Sequence, residues 1–225
     1  MQKDDAQNGY LARREAMVQQ QLVERGIQDE RVLDAMRKVP REQFVPEIER
    51  DFAYGDGPLP IGAGQTISQP YIVALMTETL QLNGGERVLE IGTGSGYAAA
   101  ILAEIAGEVF TVERVKELAD QAAEVLAGQG YVNTHVLHGD GTLGWTEHAP
   151  YDAIVVTAGG PKVPENLKQQ LAVGGRLVMP VGTSQSYQRL VQVVRRSPDR
   201  FDSTDLGGVR FVALVGEEGW QESNT

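Results

Sequence analysis

The chain has 225 residues, enough for one full α/β domain with a sizeable core and little left over for a second. Its 20 lysines and arginines face 31 acids, a formal net charge of −11, so electrostatics disfavour nucleic-acid backbones and anionic membranes as partners. The absence of cysteine excludes disulfides, thiolate catalysis and cysteine-based metal sites, and points to a reducing compartment.

The first residues, Met1-Gln2-Lys3-Asp4-Asp5, carry acids where a signal peptide needs a basic and then an apolar run, and no stretch approaches the length of a membrane span. The expectation is a soluble, cytoplasmic protein. Residues 10 to 25 place Leu11, Val18 and Leu22 among charges at the spacing of an amphipathic helix, closed by Gly26. Asp29 can cap a second helix that turns Val32, Leu33 and Met36 inward and ends before Pro40. Residues 40 to 65, rich in proline and glycine, read as a long loop, and a loop of that length in a compact domain is usually functional.

The loop delivers Gln65-Thr66-Ile67-Ser68-Gln69-Pro70-Tyr71. Pro70 suits the first turn of a helix, and Ile72, Leu75, Met76 and Leu80 line one face of it. Ser68 falls at or beside the N-cap. It either caps the helix or forms, with Thr66 and the free N–H groups, a cup for a carboxylate or phosphate.

The stretch from Val88 to Tyr97, Val-Leu-Glu-Ile-Gly-Thr-Gly-Ser-Gly-Tyr, is an apolar strand that ends in glycines at 92, 94 and 96 and then enters a helix. Glycine lets the backbone turn sharply and approach a ligand closely, and the helix start aims free N–H groups at the same spot. Twenty-one residues past Gly92, a second strand ends in Glu113, where a doubly wound fold places the acceptor for ribose hydroxyls. Dinucleotide folds use G-x-G-x-x-G; the tighter G-x-G-x-G here suits an adenosine ribose without a diphosphate, and S-adenosylmethionine is the common ligand of that kind.

From there helix and strand alternate: helix 96 to 106, strand 109 to 113, helix 114 to 128, strand 135 to 138, strand 151 to 158, a helix from Pro164 to Leu171 ended by Gly174-Gly175, and strand 176 to 182. Such alternation implies a parallel sheet. Asp140, past the third strand's end, is either a turn aspartate between glycines or an acceptor for the adenine amino group. Two final strands, 189 to 195 and 209 to 215, have no helix between them and should pair antiparallel; residues 217 to 225 read as a loose tail. His135 and His138, three apart on a strand, point to opposite faces and cannot share a metal; no metal site is expected.

Together, Leu59 to Pro70, Val88 to Tyr97, Val112-Glu113-Arg114, His138 to Gly141, Ala149 to Ile154 and Leu177 to Gly182 resemble the protein-L-isoaspartate O-methyltransferases over roughly residues 10 to 215. The glycine loop is shared by many methyltransferases; the Thr-Ile-Ser-Gln-Pro segment is specific to this family. The resemblance implies one domain: N-terminal helices and a substrate-side loop over 1–82, a doubly wound, mostly parallel, seven-stranded Rossmann-like α/β core with an antiparallel last strand over 83–216, and the tail. It implies methyl transfer from S-adenosylmethionine to the α-carboxylate of isoaspartyl residues in damaged proteins, leaving S-adenosylhomocysteine, by a monomer with no nucleic-acid or membrane partner.

Residue by residue, Ser68 matches the active-site serine, with Thr66, Ile67 and Gln69 beside it for substrate. Gln65, Glu90, Gly92, Gly94, Ser95, Glu113, Arg114, Asp140 and Gly141 fall to the cofactor, Glu113 at the ribose and Asp140 with Gly141 at the adenine. Two departures stand out: Ala213 where the family usually has proline, and Gly159-Gly160 for a more usual alanine pair. They bear on peptide preference more than on reaction type. A small-molecule carboxyl methyltransferase, a dehydrogenase and a cofactor-binding module without turnover remain as rival classes.

Overall fold

The computed structural model describes residues 2–184 and 186–221. Helix α1 (Gln2–Met17) runs into a π turn at Val18–Leu22 and a 3-10 turn at Val23–Arg25, which Gly26 closes in the left-handed conformation at φ 95°. The buried side runs through Tyr10, Arg14, Met17, Val18 and Leu22, and the π turn carries that stripe across the extra residue. Leu11, expected to face inward, is 50% exposed because Tyr10 and Arg14 hold the inward positions at that level. Helix α2 (Glu30–Lys38) is capped as expected, Arg31 N–H donating to the Asp29 carboxylate at 2.9 Å. Its far end is held by Arg14, which donates to the carbonyls of Arg37 and Lys38.

Residues 40 to 65 hold more order than their composition suggests. Two 3-10 turns, Arg41–Phe44 and Glu47–Phe52, precede a hairpin of β1 (Leu59–Gly62) and β2 (Gln65–Ile67). Its two-residue turn, Ala63-Gly64, has both φ values positive, which matches the strand twist of a tight hairpin. Helix α3 (Pro70–Leu80) follows, with Pro70 in the first turn and Gln69, rather than Ser68, at the N-cap.

The main sheet has seven strands in the order β5-β4-β3-β6-β7-β8-β9: β3 (Arg87–Ile91), β4 (Glu108–Glu113), β5 (Thr134–His138), β6 (Tyr151–Val156), β7 (Leu171–Ser184), β8 (Tyr187–Ser197) and β9 (Arg200–Val209). The first five pair in parallel, while β7 with β8 and β8 with β9 are antiparallel. Alternate strand residues divide between two cores. Val88, Val109, Ala153 and Val178 join α2, α3, α4 (Tyr97–Ala103) and α5 (Lys116–Gly128) on one face; Leu89, Phe110, Ile154 and Leu177 join α6 (Glu165–Gln170) on the other.

Three sequence expectations need correction here. Gly174-Gly175 lie inside β7 next to a register shift, not at the end of a helix. The last strand is 200–209, not 209–215. Its polar sequence suits an edge exposed on one side and laced to β8 by Arg189–Asp205 and Arg196–Asp202 pairs, whereas the apolar 211–215 stretch leaves the edge and crosses the strand ends. Glu217–Gln221 are not loose: Glu217 N–H donates to Asp140, Glu218 N–H to Thr142, and the Trp220 indole to the Gly159 carbonyl at 2.9 Å. Residues 222–225 of the expected tail lie outside the described residues.

Candidate active site

Strand order reverses at β3, with β4 on one side and β6 on the other, so the carboxyl ends of these strands part into a crevice. Gly92, Gly94 and Gly96 all take positive φ there, at 95°, 54° and 85°. At Gly92 this freedom is matched by a lack of room: a Cβ would come within 2.4 Å of the Thr157 hydroxyl. Glu113, only 7% exposed, accepts Gly94 N–H and Val115 N–H at 2.9 Å each, one on each carboxylate oxygen. It fixes the glycine turn and still has lone pairs facing the crevice.

The crevice is a cavity of about 330 Å³ lined by Gln65, Thr66, Gly92, Gly94, Glu113, Arg114, Gly141, Thr157 and Val212 to Val215. Beside it runs an outer groove of about 1110 Å³ bounded by Thr66, Ser68, Gln69, Tyr71, Tyr187 and Arg210 to Ala213. Adjoining both is a smaller inner space of about 50 Å³ that touches Ile67, Ser68, Glu90, Ser95 and Tyr97. Thr66 and Thr157 border all three spaces. Ser68 sits at the seam between groove and inner space, half buried, and its hydroxyl makes no hydrogen bond among the described residues.

Glu90 is fully enclosed. One carboxyl oxygen accepts from the Thr111 hydroxyl at 2.6 Å, Thr111 pairs in turn with Thr93, and the other oxygen has no partner among the described residues. Burial pushes its pKa up to about 8 against the opposing pull of the Thr111 hydrogen bond, and the nearby Glu113 charge adds to the rise.

Most of the expected site converges. Gln65, Gly92, Gly94, Glu113, Arg114 and Gly141 line the crevice, while Ser95 and Glu90 face the inner space. Asp140 stands to one side: it accepts Thr142 N–H and hydroxyl on one oxygen and Glu217 N–H on the other, and it borders a separate hollow with Arg114 and Trp220. It is at least a turn aspartate. Gln69 is drawn toward the loop, its amide donating to Asp56 at 2.6 Å.

Two parts of the site escaped sequence reasoning. Thr157 donates its hydroxyl to the Gly92 carbonyl at 2.7 Å and ties β6 to the glycine turn; its signal was a polar residue at the carboxyl end of a buried strand. The 212–215 segment forms the wall between crevice and groove, held by Gly159 N–H to Val212 and Leu214 N–H to Gly159, both 2.8 Å. The departures at Gly159 and Ala213 thus meet in one bridge. A Cβ at Gly159 would lie 2.5 Å from the buried Gln188 carboxamide. His135 and His148 stack on Phe110 away from the crevice, His138 lies against the Arg114 carbonyl, and among the described residues no group of three or more His, Cys, Asp or Glu could hold a metal.

A mostly parallel sheet with its switch point at β3, a positive-φ glycine turn and a carboxylate closing the neighbouring strand build a crevice for an adenosine-bearing cofactor, and with the likeness to known proteins they make the chain an S-adenosylmethionine-dependent methyltransferase. The model of the protein-L-isoaspartate(D-aspartate) O-methyltransferase family matches residues 12–219. A protein-L-isoaspartate O-methyltransferase 1 of Rhodopseudomonas palustris (strain HaA2) is 64% identical over 96% of this chain and 88% of its own. One of Pelobacter propionicus is 62% identical over 92% of each. Among solved structures, a protein-L-isoaspartate O-methyltransferase superposes with a TM-score of 0.83 at 32% identity, covering 92% of this chain and 67% of that one. A Plasmodium falciparum homologue described as putative, in complex with S-adenosyl-L-homocysteine, gives 0.77 at 26% identity over 90% and 98%. The chain belongs to the protein-L-isoaspartate(D-aspartate) O-methyltransferase family.

Proposed function

We propose that the protein methylates the α-carboxylate of isoaspartyl residues in peptides and proteins, the step that opens their repair. The observation that carries this reading is the placement of the Thr66–Ser68 segment: Thr66 borders both the crevice and the outer groove, and Ser68 borders the groove beside it, so that an acceptor in the groove can meet a donor in the crevice. The crevice residues suit the cofactor: Glu113 for the ribose hydroxyls, Gly92 and Gly94 along the amino-acid part, Gln65 and Arg114 at the walls, Gly141 at the adenine. The unpartnered oxygen of Glu90 in the inner space suits its ammonium group. When bound, S-adenosylmethionine supplies an electrophilic methyl group on a sulfonium.

What remains for the chain is alignment. A free carboxyl has a pKa of about 3.3 to 3.9, so near neutral pH it is already ionised and needs no general base. The attacking oxygen must be held about 3 to 3.5 Å from the methyl carbon. Because the carboxylate loses charge as it attacks, a hydrogen bond to the attacking oxygen would favour the ground state; Ser68 is better used on the other oxygen. Thr66, Ile67 and Gln69 shape the segment that presents it. The groove, at about 1110 Å³, suits an extended peptide better than a free small acid. Labelled-methyl transfer to paired peptides that differ only in isoaspartate versus aspartate tests the reading. Transfer confined to the isoaspartyl peptide is expected, and equal labelling of both, or preference for free small acids, would overturn it.

A further inference from the structure

One buried cation has no part in the chemistry above. Arg41 opens the 3-10 turn after α2 and is completely enclosed. Its Nε donates to the carbonyl of Ala53 at 2.7 Å and its Nη2 to the carbonyl of Ser68 at 2.7 Å. The guanidinium carbon lies 4.7 Å over the ring of Tyr97, the first residue of α4 behind the glycine turn. Nη1 is unpartnered, and among the described residues no carboxylate pairs with Arg41: Glu42, its buried neighbour, is taken up by Arg14 and the Tyr54 hydroxyl.

A guanidinium buried without a counter-ion is costly, and an apolar side chain of similar volume would fill the space more cheaply. Arg41 offers something an apolar residue cannot. The chain leaves β2 at Ile67 and enters α3 at Pro70, so the Ser68 carbonyl stands between two hydrogen-bonded elements and receives no backbone N–H among the described residues. With the Ser68 hydroxyl also unpartnered, the direction of that side chain depends on how its peptide plane is held. The fork of Arg41 holds it, anchored on Ala53 and braced against Tyr97.

We propose that Arg41 is a positioning residue for Ser68: by clamping the Ser68 carbonyl it sets the serine hydroxyl toward the groove. This rests on the reading of Ser68 given above. The test is a mutant cycle of Arg41→Lys and Arg41→Gln against Ser68→Ala in the full chain, reading turnover and KM on an isoaspartyl peptide, S-adenosylhomocysteine affinity and Tm. Arg41→Lys is expected to lower kcat about 10-fold or more, with peptide KM and S-adenosylhomocysteine Kd within about threefold. In the Ser68→Ala background the same change should cost less than about threefold, since residues acting as a unit are non-additive. Arg41→Gln, which like lysine has a single donor nitrogen and cannot reach both carbonyls, should lower kcat to a similar extent. Equal losses in both backgrounds, or a loss carried by cofactor affinity, would overturn the role of Arg41 alone, and so would failure of both Arg41 variants to fold. A Ser68→Ala variant that turns over normally would instead overturn the reading of Ser68, and this one with it.

Discussion

Glu113 and Glu90 lie on adjacent strands and do opposite things with their charge. Glu113 is satisfied by backbone N–H groups and holds the turn that forms the crevice. Glu113→Ala should therefore weaken S-adenosylhomocysteine binding about 10- to 100-fold, the worth of hydrogen bonds to a charged acceptor; a calorimetric Kd that stays unchanged would count against the ribose assignment. Glu90 is enclosed with one oxygen bare, and its pKa of about 8 means that the folded chain binds a proton there that the unfolded chain has released above its ordinary value of 4.5. Stability is thus lost as pH rises from about 4.5 to 8, and the loss is complete above 8. Glu90→Gln removes that dependence. Its Tm advantage over the parent should be greater at pH 9 than at pH 5, by about 2–4 °C for each kcal/mol recovered, and a gap constant with pH would refute the burial of an ionisable group. The same substitution should weaken cofactor binding.

At the scale of elements, the crevice owes one of its walls to a segment without regular structure. The 211–216 stretch is strapped over the strand ends by Gly159, and the strap is closed by Trp220 and by Glu217 on Asp140. Trp220→Phe keeps an aromatic side chain but loses the indole N–H and some ring volume; the hydrogen bond alone is worth about 1 kcal/mol, so Tm should fall by at least about 2–4 °C. If the strap forms the crevice wall, S-adenosylhomocysteine affinity should fall severalfold with it; a Tm change without any change in affinity would separate the two. These contacts were not legible in the sequence. Residues 217 to 221 are mostly polar and look like a tail, because their partners lie 61 to 77 positions earlier in the chain. The helices α2 and α3, by contrast, were legible to within a residue or two, since Asp29, Pro40 and Pro70 act on neighbouring backbone.

For the whole molecule, the cofactor is expected to be a stabiliser. A ligand bound by the folded chain alone at about 100 times its Kd adds about 2.7 kcal/mol, so saturating S-adenosylhomocysteine should raise Tm by about 5–11 °C. ATP at the same concentration should not, because a crevice of about 330 Å³ behind a G-x-G-x-G turn has no built place for a triphosphate. Equal shifts with both ligands would argue for a general nucleotide site.

The residues alone determined the alternation of strand and helix, the glycine turn and the carboxylate at its proper distance, because each depends on the backbone of near neighbours and on a periodicity of two or 3.6. The resemblance added the serine segment and the reaction. Only the tertiary structure decided that residues 200–209 rather than 209–215 complete the sheet, that Thr157 and the 212–215 strap bound the crevice, and that Arg41 reaches Ser68. Those contacts join parts of the chain far apart in sequence, and nothing in the local pattern of either partner says which distant carbonyl or N–H it will meet.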